Sequence, residues 1–361
     1  MRRYLRERFS SLVIVAFDRL VFEGAQVDAV LLLASNDDSR GLRVIRLLDE
    51  RSLDSVDLEV APTYQALEHW EEEARVAKSR TIQSARWSSS LDVEASAVYD
   101  ALLVSGRVVR LGELAEVDIG LVSGANSYFI LSRESARAHD LPKRVLRAVV
   151  ERPSDLAGIR VRRSEEKSLF LPPESVGAHD RATHEYLTIG VGLGVPQRYK
   201  PRTRRFWHRV PLPHLIGDAF LPYMAHRAPR LILNPGRRIV STNLLHSVAF
   251  REEAPDARAM VAAALSSATA LSGEIEGRSY GGGVLKLETK EAERLAVPAL
   301  TGEQVDQLVA MFDRLDQFVR RGRTLEASAL VDETLGFDHG RLVAATEVFR
   351  QRRLGRKSPS R

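Results

Sequence analysis

The sequence predicts an α+β fold: strands from the edge of a larger sheet, then a mixed α/β domain with long surface loops, then C-terminal helices. Three observations point there. Residues 12–17, 27–34 and 42–48 are apolar runs of strand length, and three strands within about fifty residues are too few to close a core alone. Between 108 and 298, strand-like runs alternate with loops rich in Pro and Gly. From 304 to 320, Val305, Leu308, Val309, Phe312, Leu315, Phe318 and Val319 recur at helical spacing along one face.

The elements follow in order. Residues 4–9 form a short helical piece, and 12–17 a buried strand bounded by Asp18 and Arg19. Residues 22–25 make the turn to the second apolar strand, and the third follows at 42–48. These strands are expected to pack on another part of this chain or to belong to a domain that precedes Met1. Residues 63–80 read as a helix dense in charge, with Glu68, Glu71, Glu72 and Glu73 ahead of Arg75, Lys78 and Arg80. A polar stretch at 88–90 and a short helix at 93–105 lead to a boundary near Gly106. Strands are expected at 117–121, 128–131, 231–233 and 284–287, with an Ala-rich helix at 257–271. After Pro298 comes the amphipathic helix, then two shorter helices separated by Leu335-Gly336-Phe337. There is no internal repeat. The expected division is therefore 1–60 for the N-terminal strands, 61–105 for a helical linker, 106–300 for the mixed domain and 301–361 for the helices with a basic tail.

Composition narrows the chemistry. Cysteine is absent, which excludes disulfides, thiolate zinc sites and cysteine nucleophiles and fits a reducing cytoplasm. No apolar run approaches the roughly 20 residues that span a bilayer, so no membrane partner is expected. The first apolar stretch is broken by Asp18 and Arg19, so it does not read as a signal peptide. The net charge of +5 says less than its distribution. Residues 198–209 hold Arg198, Lys200, Arg202, Arg204, Arg205 and Arg209 without an acid, and Tyr199, Phe206 and Trp207 are interleaved. Arginine binds phosphate bidentately and aromatics stack on bases, so this run reads either as a polyanion contact or as a solvated basic loop. The basic cluster at 350–361 reads as a frayed tail.

Several short motifs have both a chemical and a plain reading. Gly124-Ala125-Asn126 sits between expected strands, where Gly, and often Asn, tolerates a left-handed corner. The plain reading is a hairpin turn; in the other, Ser123 and Asn126 reach a phosphate or base edge from it. Tyr280-Gly281-Gly282-Gly283 precedes a strand holding Lys286. It reads either as a flexible loop or as a backbone cradle for an anion. It lacks the Lys-Ser/Thr ending of a nucleotide P-loop, so ATP is excluded. Gly190-Val191-Gly192-Leu193-Gly194 does not match the dinucleotide fingerprint and reads as a loop. Asn234 to Arg237 and Ser241-Thr242-Asn243 close strand-like runs, and nearby His246 reads as structural. Glu288-Thr289-Lys290 has the Glu-x-Lys of some nucleases but no partnered aspartate upstream. Neither a Gly-x-Ser-x-Gly elbow nor a His-Glu-x-x-His helix is present. No catalytic residue and no metal site is assigned.

The order of these motifs resembles that of the TaqI-class adenine-N6 DNA methyltransferases of restriction-modification systems. In that series a Leu-Arg-Glu helix, a strand, a Val-Phe turn and an apolar strand follow the catalytic motif; here these look like Leu5-Arg6-Glu7, residues 13–17, Val21-Phe22 and residues 27–33. A Gly-Leu-x-x-Gly-Ala-Asn-x-x-Phe pattern then opens the recognition domain, as at 120–129. A Tyr-Lys-x-Arg segment ending in Trp matches 199–207, and a Pro-Arg-Leu-Ile-Leu-Asn strand followed by Ser-Thr-Asn matches 229–243. The Gly-Gly-Gly-Val-x-Lys-Leu segment and Val297-Pro298 complete it. The resemblance covers nearly the whole chain.

It implies a Rossmann-like catalytic sheet of which only edge strands are present, followed by a DNA target-recognition domain. Methyl transfer to adenine N6 in that family uses an Asn/Asp-Pro-Pro-Tyr/Phe motif that holds the flipped base. None of Asn36, Asn126, Asn234 and Asn243 heads such a motif, and Pro172-Pro173 lies between Leu171 and Glu174. Residues 1–60 contain only Gly24 and Gly41, so the glycine-rich turn for S-adenosylmethionine is also missing. The resemblance places both motifs before Met1 and leaves Phe22 as the aromatic bordering the base pocket. It implies a chain that alone binds no S-adenosylmethionine and transfers no methyl group, as a truncated product or half of a split enzyme. Double-stranded DNA and a separate catalytic subunit are the implied partners. Implied DNA contacts are Ser123, Asn126, Arg198, Tyr199, Lys200, Arg202, Arg204, Arg205, Trp207, Asn243, Tyr280, Gly281, Gly282 and Lys286. The rival reading is a non-enzymatic specificity subunit of a restriction system, whose two recognition domains would show as a repeat. A third is an interaction protein unrelated to DNA, insensitive to charge reversal at Arg204 and Arg205.

Overall fold

The structure is a computed structural model and describes residues 2–17, 30–36, 41–47, 93–174, 180–280 and 283–355. The expected charged helix at 63–80 and the turn at 22–25, with Phe22, lie outside these residues. So do Gly281 and Gly282.

The three N-terminal runs are strands of one sheet. Ser11–Phe17 lies at its centre, antiparallel to Val30–Ser35 and parallel to Gly41–Leu47. Leu12, Ile14 and Ala16 pack with Leu5 and Phe9 at the end of the Arg2–Arg8 helix. On the edge strand Val30, Leu31, Leu32 and Leu33 remain exposed.

From residue 93 onward the chain is α+β. Ala115–Ile119 and Leu245–Phe250 are antiparallel neighbours in a four-stranded sheet, completed by Ala219–Pro222 and Ile232–Leu233. A second four-stranded sheet orders Val240–Ser241, Leu146–Val150, Lys167–Phe170 and Ile130–Leu131. A hairpin of Arg278–Tyr280 and Val284–Lys286 takes Met224–Ala225 as its third strand. The amphipathic helix spans Gly302–Arg320 and turns Leu308, Phe312, Leu315 and Val319 into the same core as Val117, Leu221 and Val248. Thr324–Leu335 and His339–Gly355 follow, the first closed by Gly336 at φ 70°, a left-handed cap that glycine adopts without a steric cost.

Four expectations change within residues 106–300. The helix expected at 257–271 is two, Ala257–Ala263 and Ser267–Glu276. Ser266 caps the second by accepting from the Ala268 N–H, and the buried Asp332 carboxylate accepts from both Ser266 and Ser267. An acid at a helix N-terminus satisfies donors the helix leaves free, and this one is supplied from 65 residues away. The strand expected at 128–131 is only Ile130–Leu131, because Asn126–Phe129 is a helical turn. Tyr128 and Phe129 are both buried, which adjacent residues of a strand with one solvated face are not. The Gly124 corner is not a hairpin: Ala115–Ile119 before it and Ile130–Leu131 after it belong to different sheets. Finally, Gly190 and Gly192 lie inside a helix, Arg181–Gly192, and not in a loop.

Candidate nucleic-acid interface

The corner and the basic run meet in space. Gly124 has φ +76°, and a Cβ there would lie 2.5 Å from Lys200 Cβ and 2.8 Å from Pro201 Cδ. Only a glycine lets the two backbones come this close. Arg204 fastens the contact by donating to the carbonyls of Val122 (2.9 Å) and Ser123 (2.7 Å), with its guanidinium 5.7 Å from the Phe129 ring centre. Burial pushes the Arg204 guanidinium below its ordinary value. Ser123 is buried, bonded to Asn126 Oδ1 and accepting from the Ala125 N–H. Its hydroxyl therefore shapes the turn from within, while Asn126 stays half-buried at the corner.

Beneath the corner lies an aromatic floor. Tyr128 and Tyr186 stack at 4.9 Å, and each hydroxyl donates to the other's backbone carbonyl (3.0 and 2.8 Å). Trp207 leans on Tyr128 at 5.8 Å and joins the hydrophobic cluster there. Gly190 admits both rings, since a Cβ would fall 2.5 Å from Tyr128 and 2.7 Å from Trp207. This packing makes a helix of a glycine-rich segment whose composition reads as a loop.

Above the floor the basic run faces solvent. Tyr199–Arg202 forms one helical turn. Arg198, Tyr199, Lys200, Arg202 and Arg205 are exposed, with Lys200 Nζ 5.7 Å and the Arg202 guanidinium 5.5 Å from the Tyr199 ring centre. Among the described residues no carboxylate forms an ion pair with these four cations. Arg238–Glu166, Arg320–Asp316 and Arg353–Glu274 are, by contrast, matched pairs. Lys200, Arg204, Arg205 and Arg209 line an open cleft of about 600 Å³ with Thr203, Phe206 and Val122 on its walls and Glu174 as its one acid among the described residues. Asn243 lies alongside: its N–H donates to the Leu121 carbonyl (3.0 Å), and Gly120 presses against the Thr242 carbonyl.

The hairpin holding Tyr280 and Lys286 is joined to this region through the Leu244–Tyr223 and Tyr223–Leu287 backbone bonds. Lys286 pairs with Glu288 (2.9 Å), and Tyr223 donates to Glu288 (2.8 Å). The Tyr223 and Tyr280 rings lie 5.0 and 5.2 Å from the ammonium. Hydrogen bonds to the Tyr223 hydroxyl and then to the Glu288 carboxylate hold Lys286 above its ordinary value, and the bond from Lys286 holds Glu288 below its own. The sequence names Lys286, and names Glu288 only in a Glu-x-Lys pair with Lys290; the structure pairs Glu288, the N-cap of the Thr289–Glu293 helix, with Lys286 instead and adds Tyr223, which no sequence motif marks. The basic cluster at 350–361, expected as a frayed tail, is helical through residue 355, and its Arg353 is buried and ties the hairpin to the last helix through the Gly283 carbonyl.

His246 is structural, as its sequence context suggests. It is buried, its Nε2 donates to the Leu287 carbonyl (2.7 Å), and its Nδ1 has no partner among the described residues. Burial pushes its pKa below the ordinary 6.5. The unfolded chain therefore binds this proton more readily than the folded one, so stability is full above that pH and falls on acidification. Thermal melting is expected to drop between about pH 7.5 and 5.5, and His246→Gln is expected to flatten that slope.

Among the described residues no cluster of His, Asp or Glu is arranged to hold a metal ion, and no helix is long and apolar enough to cross a membrane. The family model for the C-terminal domain of the type II methyltransferase M.Eco57I matches residues 84–335. The type II methyltransferase M.XamI of Xanthomonas campestris pv. amaranthicola is 32% identical over 201 residues, covering 53% of this chain. The match spans 36% of the length of that relative.

Proposed function

The chain belongs to the family of the C-terminal domain of type II restriction-modification methyltransferases, and from that premise we propose that it is the DNA target-recognition part of an adenine-N6-specific enzyme. The observation that carries the proposal is the meeting of the Gly124 corner with a run of unmatched cations around an exposed tyrosine. Exposed arginine and lysine with no carboxylate partner are suited to phosphates, and tyrosine between two cations is suited to stacking.

In this reading Arg198, Lys200, Arg202 and Arg205 hold phosphates. Arg204 keeps the corner in place, and Trp207 supports it from below. Asn126 and Asn243, with donor and acceptor on one amide, address base edges; an Asn bidentate to adenine is the geometry that amide allows. Tyr280 and Lys286 approach the duplex from the hairpin with Gly281 and Gly282. Residues 106–300 form the recognition domain, 61–105 its linker, 301–361 a helical support and 1–60 strands of the catalytic sheet, where Phe22 borders the base pocket. Adenine as target rests on the order of the sequence motifs.

S-adenosylmethionine is the methyl donor in this class of enzyme. The cleft does not suit it, since a cofactor of net positive charge would meet the cations Lys200, Arg204, Arg205 and Arg209. No transfer step is assigned to these residues, and a separate catalytic subunit is the proposed source of the cofactor site. Selection of duplexes from a random pool tests the reading. A recognition domain enriches one short motif containing adenine, and recovery of unselected sequence at a salt where the chain still binds would count against it.

A further inference from the structure

The helix Arg181–Gly192 changes character at its last turn. Thr183, Tyr186, Leu187 and Gly190 face inward, and Arg181, His184, Glu185 and Thr188 face solvent, an ordinary amphipathic pattern. Beyond that the outward residues are apolar. Ile189 is 42% exposed, Val191 54% and Leu193 61%. Gly192 has nothing within 4 Å of a Cβ position, and Gly194 (φ +66°) turns the chain back sharply. The helix thus ends in solvent-exposed apolar side chains. One 3-10 turn, Val195–Gln197, separates it from Tyr199, itself 67% exposed, and the cations around it.

We propose that Val191 and Leu193 form a wedge that enters the base stack of bound duplex DNA and opens one base step. The proposal rests on the DNA-recognition reading and adds the mode of contact. Charge decides the occupant. Residues 186–217 contain no Asp or Glu, while Arg198, Lys200, Arg202, Arg204, Arg205 and Arg209 follow this helix end directly. An apolar point flanked by unmatched cations is complementary to a base step, which is apolar between two rows of phosphates. Proteins that insert Leu, Ile or Phe between base pairs use the same pairing of apolar wedge and cationic flank.

Insertion costs stacking energy, so a duplex already weakened at one step is the better ligand. The probes are two short duplexes of identical sequence, one fully paired and one with a single central mismatch, titrated by fluorescence anisotropy. The wild-type chain is expected to prefer the mismatched duplex about tenfold. A Val191→Ser, Leu193→Ser variant is expected to show no preference, to bind the paired duplex within about threefold of wild type and to keep its salt dependence. Leu193→Met, which preserves an apolar point, is expected to retain the preference. Equal binding of both duplexes by the wild type, or an undiminished preference in the serine variant, overturns the wedge while leaving DNA recognition standing. A serine variant that changes only the oligomeric state assigns the patch to a second copy of the chain and likewise overturns it. Failure of the folded chain to bind either duplex overturns both readings.

Discussion

A chain carrying Lys200→Glu and Arg205→Glu is expected to bind duplex DNA about a hundredfold more weakly than wild type at low salt, with the slope of log K against log salt reduced by about 2. Both side chains are exposed, both line the cleft, and neither forms an ion pair with a described carboxylate. Their charge is therefore free to displace counterions from DNA, and each phosphate left without its cation takes about 0.9 from the slope. Arg204 is the wrong residue for this test. It donates to the Val122 and Ser123 carbonyls, so its replacement would loosen the corner and mix a structural loss with an electrostatic one. Arg258→Glu is the control, since that arginine pairs locally with Asp256 at a helix start. An unchanged affinity in the double variant, with an unchanged melting temperature, would move the DNA surface away from the cleft.

The second large effect is on stability. Arg353→Met is expected to destabilise the fold by about 3 kcal/mol in urea denaturation, because breaking a buried ion pair leaves one charge uncompensated. The Arg353 and Glu274 side chains are 5% and 1% exposed. Two bonds of 2.8 and 2.7 Å join them, and Arg353 also donates to the carbonyls of Gly283 and His226. Arg350 lies 3.5 Å from the same carboxylate and keeps part of the compensation, which holds the expected loss at the lower end of the range. The hairpin and its Lys286 should loosen with it. Arg353→Lys restores charge but not the planar fork, so its stability should fall between the two. A loss below about 1 kcal/mol in the methionine variant would mean that packing, not the ion pair, fixes the last helix.

What the sequence discloses here is what depends on neighbours along the chain. The period of Val305 to Val319 gives the helix at once, and the apolar runs near the N-terminus give the three strands to within a few residues. The unusual backbone at Gly124 follows from its Gly-Ala-Asn context. The elements that differ depend on residues far away in sequence. Gly190 lies in a helix because Tyr128 and Trp207 pack on it. The Ala-rich helix breaks at Ser266 because Asp332 supplies a carboxylate there. Tyr128 and Phe129 sit in a helical turn because both must be buried over Tyr186 and Phe170. At the candidate interface the cations of 198–205 are legible as a run, but their lack of partners is not. The tether from Arg204 to the corner spans 81 residues, and the exposure of Leu193 becomes evident only once the inner face of its helix is known.

One measurement bears most directly on DNA recognition: duplex-DNA binding by the purified chain, titrated against salt. With Arg198, Lys200, Arg202 and Arg205 on phosphates, log K is expected to fall with log salt at a slope of about −3 to −4. A folded sample that does not bind at low salt, or whose binding is indifferent to salt, would contradict the assignment of this surface to DNA.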